Sequence, residues 1–269
     1  MLGKAVVLAR GLGRRMRRGD DSVRLEAGQS AMADLGMKAM MPVGRPFLDY
    51  VLSGLADAGF TDSCLVVGPE HGAIRDYYSG EQTKPRIRIH FAIQAEPHGT
   101  ANALLAAEEF ASQDEFAVMN ADNYYPAAVL QALQDLGQPG TVLFEEDALI
   151  RHSNIPRERI KAFAYGFVSE EGLLRELIEK PDDTTVAKLR GQALISMNIW
   201  RFSSDIFDAC RRVTISRRGE YELPVAVWGA IQAGMKLKVV RCRAGVLDLS
   251  ERADIAAVVE QLKHVQVSM

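Results

Sequence analysis

The chain has 269 residues, 48% hydrophobic and 25% charged, with a formal net charge of −3. That balance is close to an average globular protein and long enough for one large domain, and it excludes a strongly basic, electrostatically driven nucleic-acid binder. Cys64, Cys210 and Cys242 are scattered without metal spacing or an even disulfide framework. Together with the lack of an apolar leader or a bilayer-length apolar run, this predicts a cytoplasmic protein with no membrane partner.

In chain order, Ala5 to Leu8 is a short valine-rich run, the pattern of a strand buried on both faces. It runs directly into Arg10-Gly11-Leu12-Gly13-Arg14-Arg15. Two glycines one residue apart permit a sharp turn whose exposed N–H groups suit an anion, and arginine adds a forked donor that matches phosphate. The same stretch also reads as an ordinary glycine-rich loop with a solvated basic face. Two commoner phosphate motifs are excluded. A dinucleotide fingerprint needs a third glycine where Met16 stands, and a Walker loop needs a Gly-Lys-Ser/Thr ending that is absent.

Residues 17–36 are polar, with weak helical character and no strand pattern. A helix follows from Phe47, through Tyr50, Val51 and Leu55, with Pro46 suited to its first turn and Gly59 at its end. Strands at Cys64 to Val67, Ile87 to Ile93, Phe116 to Met119 and Thr141 to Phe144 alternate with helices at Ala73 to Tyr78, Thr100 to Phe110 and Ala127 to Leu136. This rhythm predicts an α/β fold with a doubly wound, mostly parallel sheet. Ligands in such folds sit at the carboxyl ends of strands, so Gly11 to Arg15, Gln94 and Asp122 should face one crevice.

From about Ile150 the rhythm changes. Ala162 to Val168 and Leu173 to Ile178 read as an antiparallel pair, and Leu194 to Trp200 as a further strand. Helices are expected at Ser203 to Arg211 and Leu223 to Ala233, then a strand at Leu237 to Arg241 and a last helix after Arg252. No linker-like composition intervenes. This half is therefore a small antiparallel, substrate-side extension of the same sheet, and residues 1–269 form a single domain with halves 1–150 and 151–269.

Further blocks carry a family likeness. They are Leu8-Ala9-Arg10-Gly11-Leu12-Gly13-Arg14-Arg15, Lys38 with Pro42 to Pro46, Gln94 with Gly99-Thr100-Ala101, and Asp122-Asn123. Tyr165-Gly166, Glu179-Lys180-Pro181, Gly219 to Leu223 and Asp248 before Asp254-Ile255 complete them. In this order, over nearly the whole chain, they resemble the sugar-1-phosphate nucleotidyltransferases. These are the NDP-sugar pyrophosphorylases such as the glucose-1-phosphate uridylyl- and thymidylyltransferases.

The resemblance implies a Rossmann-like nucleotidyltransferase fold and transfer of a nucleotide from a nucleoside triphosphate to a sugar-1-phosphate. It implies Mg²⁺ held by Asp122 and Asp248, with Arg15, Lys38 and Asp122 catalytic. Gln94 and Gly99 would meet the base, Lys180 the sugar phosphate and Glu179 a sugar hydroxyl. Ala9, Gly11, Gly13, Thr100, Tyr165, Gly166 and Asn198 would complete the substrate-binding residues. UTP is placed ahead of dTTP and GTP, because Thr100 resembles the uridylyl members. Residues 1–150 would bind the nucleotide and 151–269 the sugar phosphate, with no nucleic-acid partner and a homo-oligomer left open.

Each assignment has a plainer counterpart. Asp122 could end a strand in an Asx-turn, Asp248 could be a surface turn, and Glu179-Lys180-Pro181 a charged strand exit. The chain also departs from the family pattern. Arg10 replaces a small residue, Arg14 a threonine, and Asn198 stands where a glycine often approaches the sugar. Ser250-Glu251 stands for Gly-Thr, and Arg15 and Lys38 lie 23 positions apart, against roughly ten in simpler members. The segment between them shows no apolar stripe and is expected to be a mobile lid over the triphosphate. The other reading is a non-catalytic regulatory protein of the same fold that binds a nucleotide or nucleotide-sugar.

Overall fold

The computed structural model describes residues 2–80, 85–182, 184–186, 191, 193–216 and 219–269. Eleven strands are described: β1 (Lys4–Leu8), β2 (Asp62–Val67), β3 (Arg88–Ile93), β4 (Phe116–Asn120), β5 (Asn123–Tyr124), β6 (Gly140–Phe144), β7 (Ala164–Val168), β8 (Leu174–Glu179), β9 (Leu194–Phe202), β10 (Lys238–Cys242) and β11 (Leu247–Asp248). The main sheet runs β10-β6-β9-β4-β1-β2-β3. β1, β2, β3 and β4 are parallel, β9 lies antiparallel between β4 and β6, and β10 is parallel to β6. The β7–β8 hairpin joins β9 as the expected antiparallel extension. The result is an α/β fold with a mostly parallel central sheet.

The pleat explains why the short apolar runs become central strands. Successive side chains of a strand point to opposite faces. Ala5 and Val7 join Leu65, Val67, Ala117 and Met119 in one buried cluster. Val6 and Leu8 join Cys64, Val66, Phe116 and Val118 in a second cluster on the other face. The helix Phe47–Asp57 covers the first face with Phe47, Leu48, Leu52 and Leu55. Helices Thr100–Ala106, Ile206–Arg212 and Leu223–Gln232 cover the second. Trp200 on β9 is fully buried there, its ring stacked on Phe202 at 5.5 Å.

The register places the loops that matter at one edge. Leu8 pairs with Val66 on one side and with Asn120 on the other. The turn after β1, Gln94 after β3 and Asp122 after β4 therefore emerge at the same end of the sheet, as expected.

Three readings of the sequence are corrected. Residues 16–37 are not without an anchor. Ala27–Leu35 is a helix with a capping box between Glu26 and Gln29, ended by Gly36 at φ 69°. Met16 and Ala33 are fully buried, Leu25 and Met32 pack on the first core, and Gln29 Nε2 donates to Pro42 O at 3.1 Å. The contacts are made by small or isolated apolar residues, so no stripe shows in the sequence. Helices Glu146–His152 and Arg157–Ile160 occupy the stretch read only as a change of rhythm. The helix expected from Thr100 to Phe110 is two pieces, Thr100–Ala106 and Glu108–Ala111, with Ala107 between them at φ −95°, ψ 8°. Among the described residues no helix is long and apolar enough to cross a membrane.

Candidate active site

A cleft of about 460 Å³ opens at the carboxyl ends of β1, β3 and β4. Its walls include Ala9, Gly11, Gly13, Arg15, Lys38, Gln94, Gly99, Thr100 and Asp122. Nine of the residues expected to act on a ligand are thus brought together from five separate stretches of chain.

The phosphate-loop side is built on close backbone contact. Gly13 has φ 59°, and a Cβ there would stand 2.4 Å from Gly36 O. Only glycine lets the turn after β1 close against the end of the helix Ala27–Leu35. From this turn Arg14, Arg15 and Arg18 reach the cleft wall. Arg14 and Arg18 have no ion-pair partner among the described residues. Arg15 Nη2 donates to Ser250 Oγ at 3.1 Å. Lys38 enters from the turn Lys38–Met40 and its ammonium pairs with Asp122. The cleft mouth is therefore strongly cationic, the field a polyphosphate requires.

The two carboxylates meet through a small ribbon. β5 pairs antiparallel with β11 so that Asp248 stands opposite Asn123, and Leu249 N donates to Asp122 O at 2.9 Å. Asn154 clamps the Asp248 backbone with two bonds of 2.8 Å, and Asn123 Nδ2 donates to Asp248 Oδ1 at 3.0 Å. Arg159 Nη2 lies 3.0 Å from Asp248 Oδ2, while Arg159 Nη1 donates to Asp254 at 2.8 Å. Burial first, and then the charge of Asp122, push the Asp248 carboxyl up to about 6; Arg159, a hydrogen bond from Ser250 and Lys38 act the other way.

These residues fit a hard divalent cation. Asp248 Oδ2 is buried and, beyond its ion pair with Arg159, accepts no hydrogen bond among the described residues. A second carboxylate, that of Asp122, is close enough to shift its ionisation. Among the described residues no group of three or more His, Cys, Asp or Glu is placed to hold a metal. Two carboxylates completed by water and substrate phosphate is the donor set Mg²⁺ takes in phosphate-handling sites.

At the far end, Gln94 is buried, and its Nε2 donates to Gly99 O at 3.1 Å and to Asn102 Oδ1 at 2.8 Å. With both amide hydrogens used, Oε1 is left as an acceptor. Arg10 donates to the Gln94 carbonyl and pairs with Glu70 at 3.1 Å, closing this end. Gly99 sits at φ 106°, where a Cβ would lie 2.6 Å from Tyr221 O. Ala101 N donates to Tyr221 O at 2.8 Å and Leu223 N to Thr100 Oγ1 at 2.8 Å, so this segment locks the helix Thr100–Ala106. Gly99→Ala is expected to lower stability by about 1–3 kcal/mol through strain and clash. Urea unfolding measures it, and an unchanged midpoint would contradict the packing described.

The remaining expected residues lie off this cleft. Tyr165 is buried in β7, and Gly166 packs where a Cβ would meet Leu143 Cδ1 at 2.5 Å. Lys180 follows β8 with its Nζ 3.0 Å from Glu179 Oε1 and 3.9 Å from Glu222 Oε1. Asn198, at φ 59°, donates to Asn120 Oδ1 at 2.7 Å and accepts from Trp200 Nε1 at 2.8 Å. Asn120 lines the cleft, so Asn198 braces that wall from behind. Asn154 and Arg159 escaped the sequence reading, since nothing local marks a residue that acts on Asp248 from far along the chain, and Asn123 stood there only as the neighbour of Asp122. Ser250, read there as a departure, lies in the cleft wall.

Residues 33–244 match the model of a family described as nucleotidyl transferase. The UTP–glucose-1-phosphate uridylyltransferase AglF of Haloferax volcanii is 27% identical over 252 residues, covering 93% of each chain. A glucose-1-phosphate thymidylyltransferase of Streptomyces griseus is 26% identical over 87% of this chain, which spans 59% of that protein's length. A UDP-glucose pyrophosphorylase solved with UDP-glucose superposes with a TM-score of 0.75 at 16% identity, over 99% of this chain and 100% of that one, a likeness of fold.

Proposed function

The chain belongs to the nucleotidyl transferase family, and on that premise we propose that it joins a nucleoside triphosphate to a sugar-1-phosphate. The products are a nucleotide-sugar and pyrophosphate. The observation that carries the reading is the meeting, at one cleft, of a cationic loop with Lys38, Asp122 and the nearby Asp248.

A sugar-phosphate oxygen attacks the α-phosphorus; the new O–P bond forms as the bond to the pyrophosphate oxygen breaks. Such chemistry needs positioning and charge neutralisation more than covalent help from the protein. Arg15, aided by Arg14 and Arg18, holds the outgoing phosphates. Lys38 stands beside Asp122, where its ammonium can turn to the α-phosphate. When held by Asp122 and Asp248, Mg²⁺ supplies further neutralisation of the reacting oxygens.

The base sits at Gln94, Gly99 and Thr100. An acceptor at Gln94 Oε1 matches the ring N–H of uracil, thymine or guanine and not the ring acceptor nitrogen of cytosine or adenine. UTP is placed first, as in AglF by its name, with dTTP and GTP next. The nucleotide belongs to residues 1–150 and the sugar phosphate to residues 151–269, through Tyr165, Gly166, Glu179, Lys180 and Asn198. The reaction is placed in the cytoplasm, with neither nucleic acid nor membrane as partner.

The test is pyrophosphate release from UTP, dTTP, GTP, CTP or ATP with a panel of sugar-1-phosphates and Mg²⁺. Release that needs both substrates and the metal, with UTP, dTTP or GTP, is expected. Tight nucleotide binding with no pyrophosphate from any pair would favour the non-catalytic regulatory reading.

A further inference from the structure

The turn that follows Asp248 joins the two ends of the chain at the site. Ser250 is only 4% exposed, yet it lines the cleft. Its Oγ accepts from Arg15 Nη2 at 3.1 Å, a contact between residues 235 positions apart. Arg252 Nε, two residues on, donates to Met16 O at 3.0 Å, and its guanidinium pairs with Asp34. The turn is itself held from beneath. Asp254 Oδ2 accepts from Ser250 N at 2.8 Å and from Glu251 N at 2.9 Å, and Arg159 Nη1 holds Asp254 Oδ1 at 2.8 Å.

A hydroxyl has one proton to donate and lone pairs to accept. Since Ser250 accepts from Arg15, its hydroxyl is the partner that fixes the guanidinium from the cleft wall. One buried side chain, on the turn that follows Asp248, thus fixes the guanidinium placed on the triphosphate. Arg252 braces the same segment through main chain and helix, without touching Arg15's head group.

We propose that Ser250 is a positioning residue of the transfer site, its hydroxyl holding the Arg15 guanidinium ready for the triphosphate. An arginine loses much rotamer freedom when it is ordered. Fixing it before the ligand arrives moves that loss from binding into folding, which tightens the triphosphate complex. The sugar phosphate, bound elsewhere, gains nothing from the link. This inference rests on the function proposed above.

Ser250→Ala, Ser250→Thr and Arg252→Ala test it, with the UTP affinity measured by calorimetry in Mg²⁺ and the two KM values from pyrophosphate release. Losing a hydrogen bond to a charged group, Ser250→Ala is expected to weaken UTP by about tenfold. The sugar-phosphate KM and the melting temperature should stay near those of the unaltered protein. Ser250→Thr keeps the hydroxyl and should restore UTP affinity. Arg252→Ala should lower the melting temperature while leaving UTP affinity largely in place. Unchanged UTP affinity in Ser250→Ala, or a parallel rise of both KM values with a fall in melting temperature, overturns the proposal. If the unaltered protein neither binds nor turns over UTP, dTTP or GTP, the proposed function falls with it. An active protein indifferent to Ser250→Ala removes only this inference.

Discussion

Asp122→Asn is expected to lower kcat by about 10³-fold, with the melting temperature within a few degrees of the unaltered protein. The main chain at this position is fixed by bonds that do not involve its side chain. Ala121 N donates to Leu8 O at 3.1 Å and Leu249 N to Asp122 O at 2.9 Å. Asparagine keeps the shape and loses the charge. That charge is the counterion of Lys38 and belongs to one of the two carboxylates proposed to share a divalent cation. Asparagine can still accept from the Lys38 ammonium, so the loss should appear in turnover. Initial rates of pyrophosphate release and a thermal melt measure both. Turnover within a few-fold of the unaltered protein would remove Asp122 from the site.

Lys38→Met is the second large effect. Removing a preorganised cation from developing negative charge typically lowers kcat by about 10²–10³-fold. Methionine is close in length to the alkyl stem, which passes 3.8 Å from where a Cβ on Gly11 would lie. Packing beside the loop is thus kept. Because the ammonium is assigned to the α-phosphate in the transition state, kcat should fall while the KM for UTP moves by no more than about threefold. The opposite pattern, a raised KM at unchanged kcat, would make Lys38 a ground-state binding residue. A KM-against-kcat comparison at saturating sugar phosphate separates the two.

The sequence showed the central strands because each is a short apolar run buried on both faces, as Ala5 to Leu8 illustrates. The loop residues Gly11, Gly13, Arg15, Gln94 and Asp122 were legible because the fold class alone sends strand ends to one edge. The helix Ala27–Leu35 was not, since its buried side is Gln29 and Ala33, one polar and one small. Capping by Glu26 and Gln29, not hydrophobic periodicity, sets its start. The supports of Asp248 were illegible for a different reason. Arg159 sits in a charged stretch that reads as solvated, and the convergence of Asp248, Glu251 and Asp254 from the far end of the chain makes its burial tolerable. Ser250 looked like erosion of a motif. In place, it is the residue that meets Arg15.

The central claim is that the α-phosphorus of a nucleoside triphosphate is transferred to a sugar phosphate. ³¹P NMR of a reaction containing UTP, Mg²⁺ and a sugar-1-phosphate whose phosphate oxygens carry ¹⁸O tests it most directly. One sugar-linked diphosphate is expected for each inorganic pyrophosphate formed, with ¹⁸O retained in the bridge between the two phosphorus atoms. Pyrophosphate appearing with free UMP, or UTP left unchanged across the sugar phosphates tried and likewise with dTTP and GTP, would contradict it.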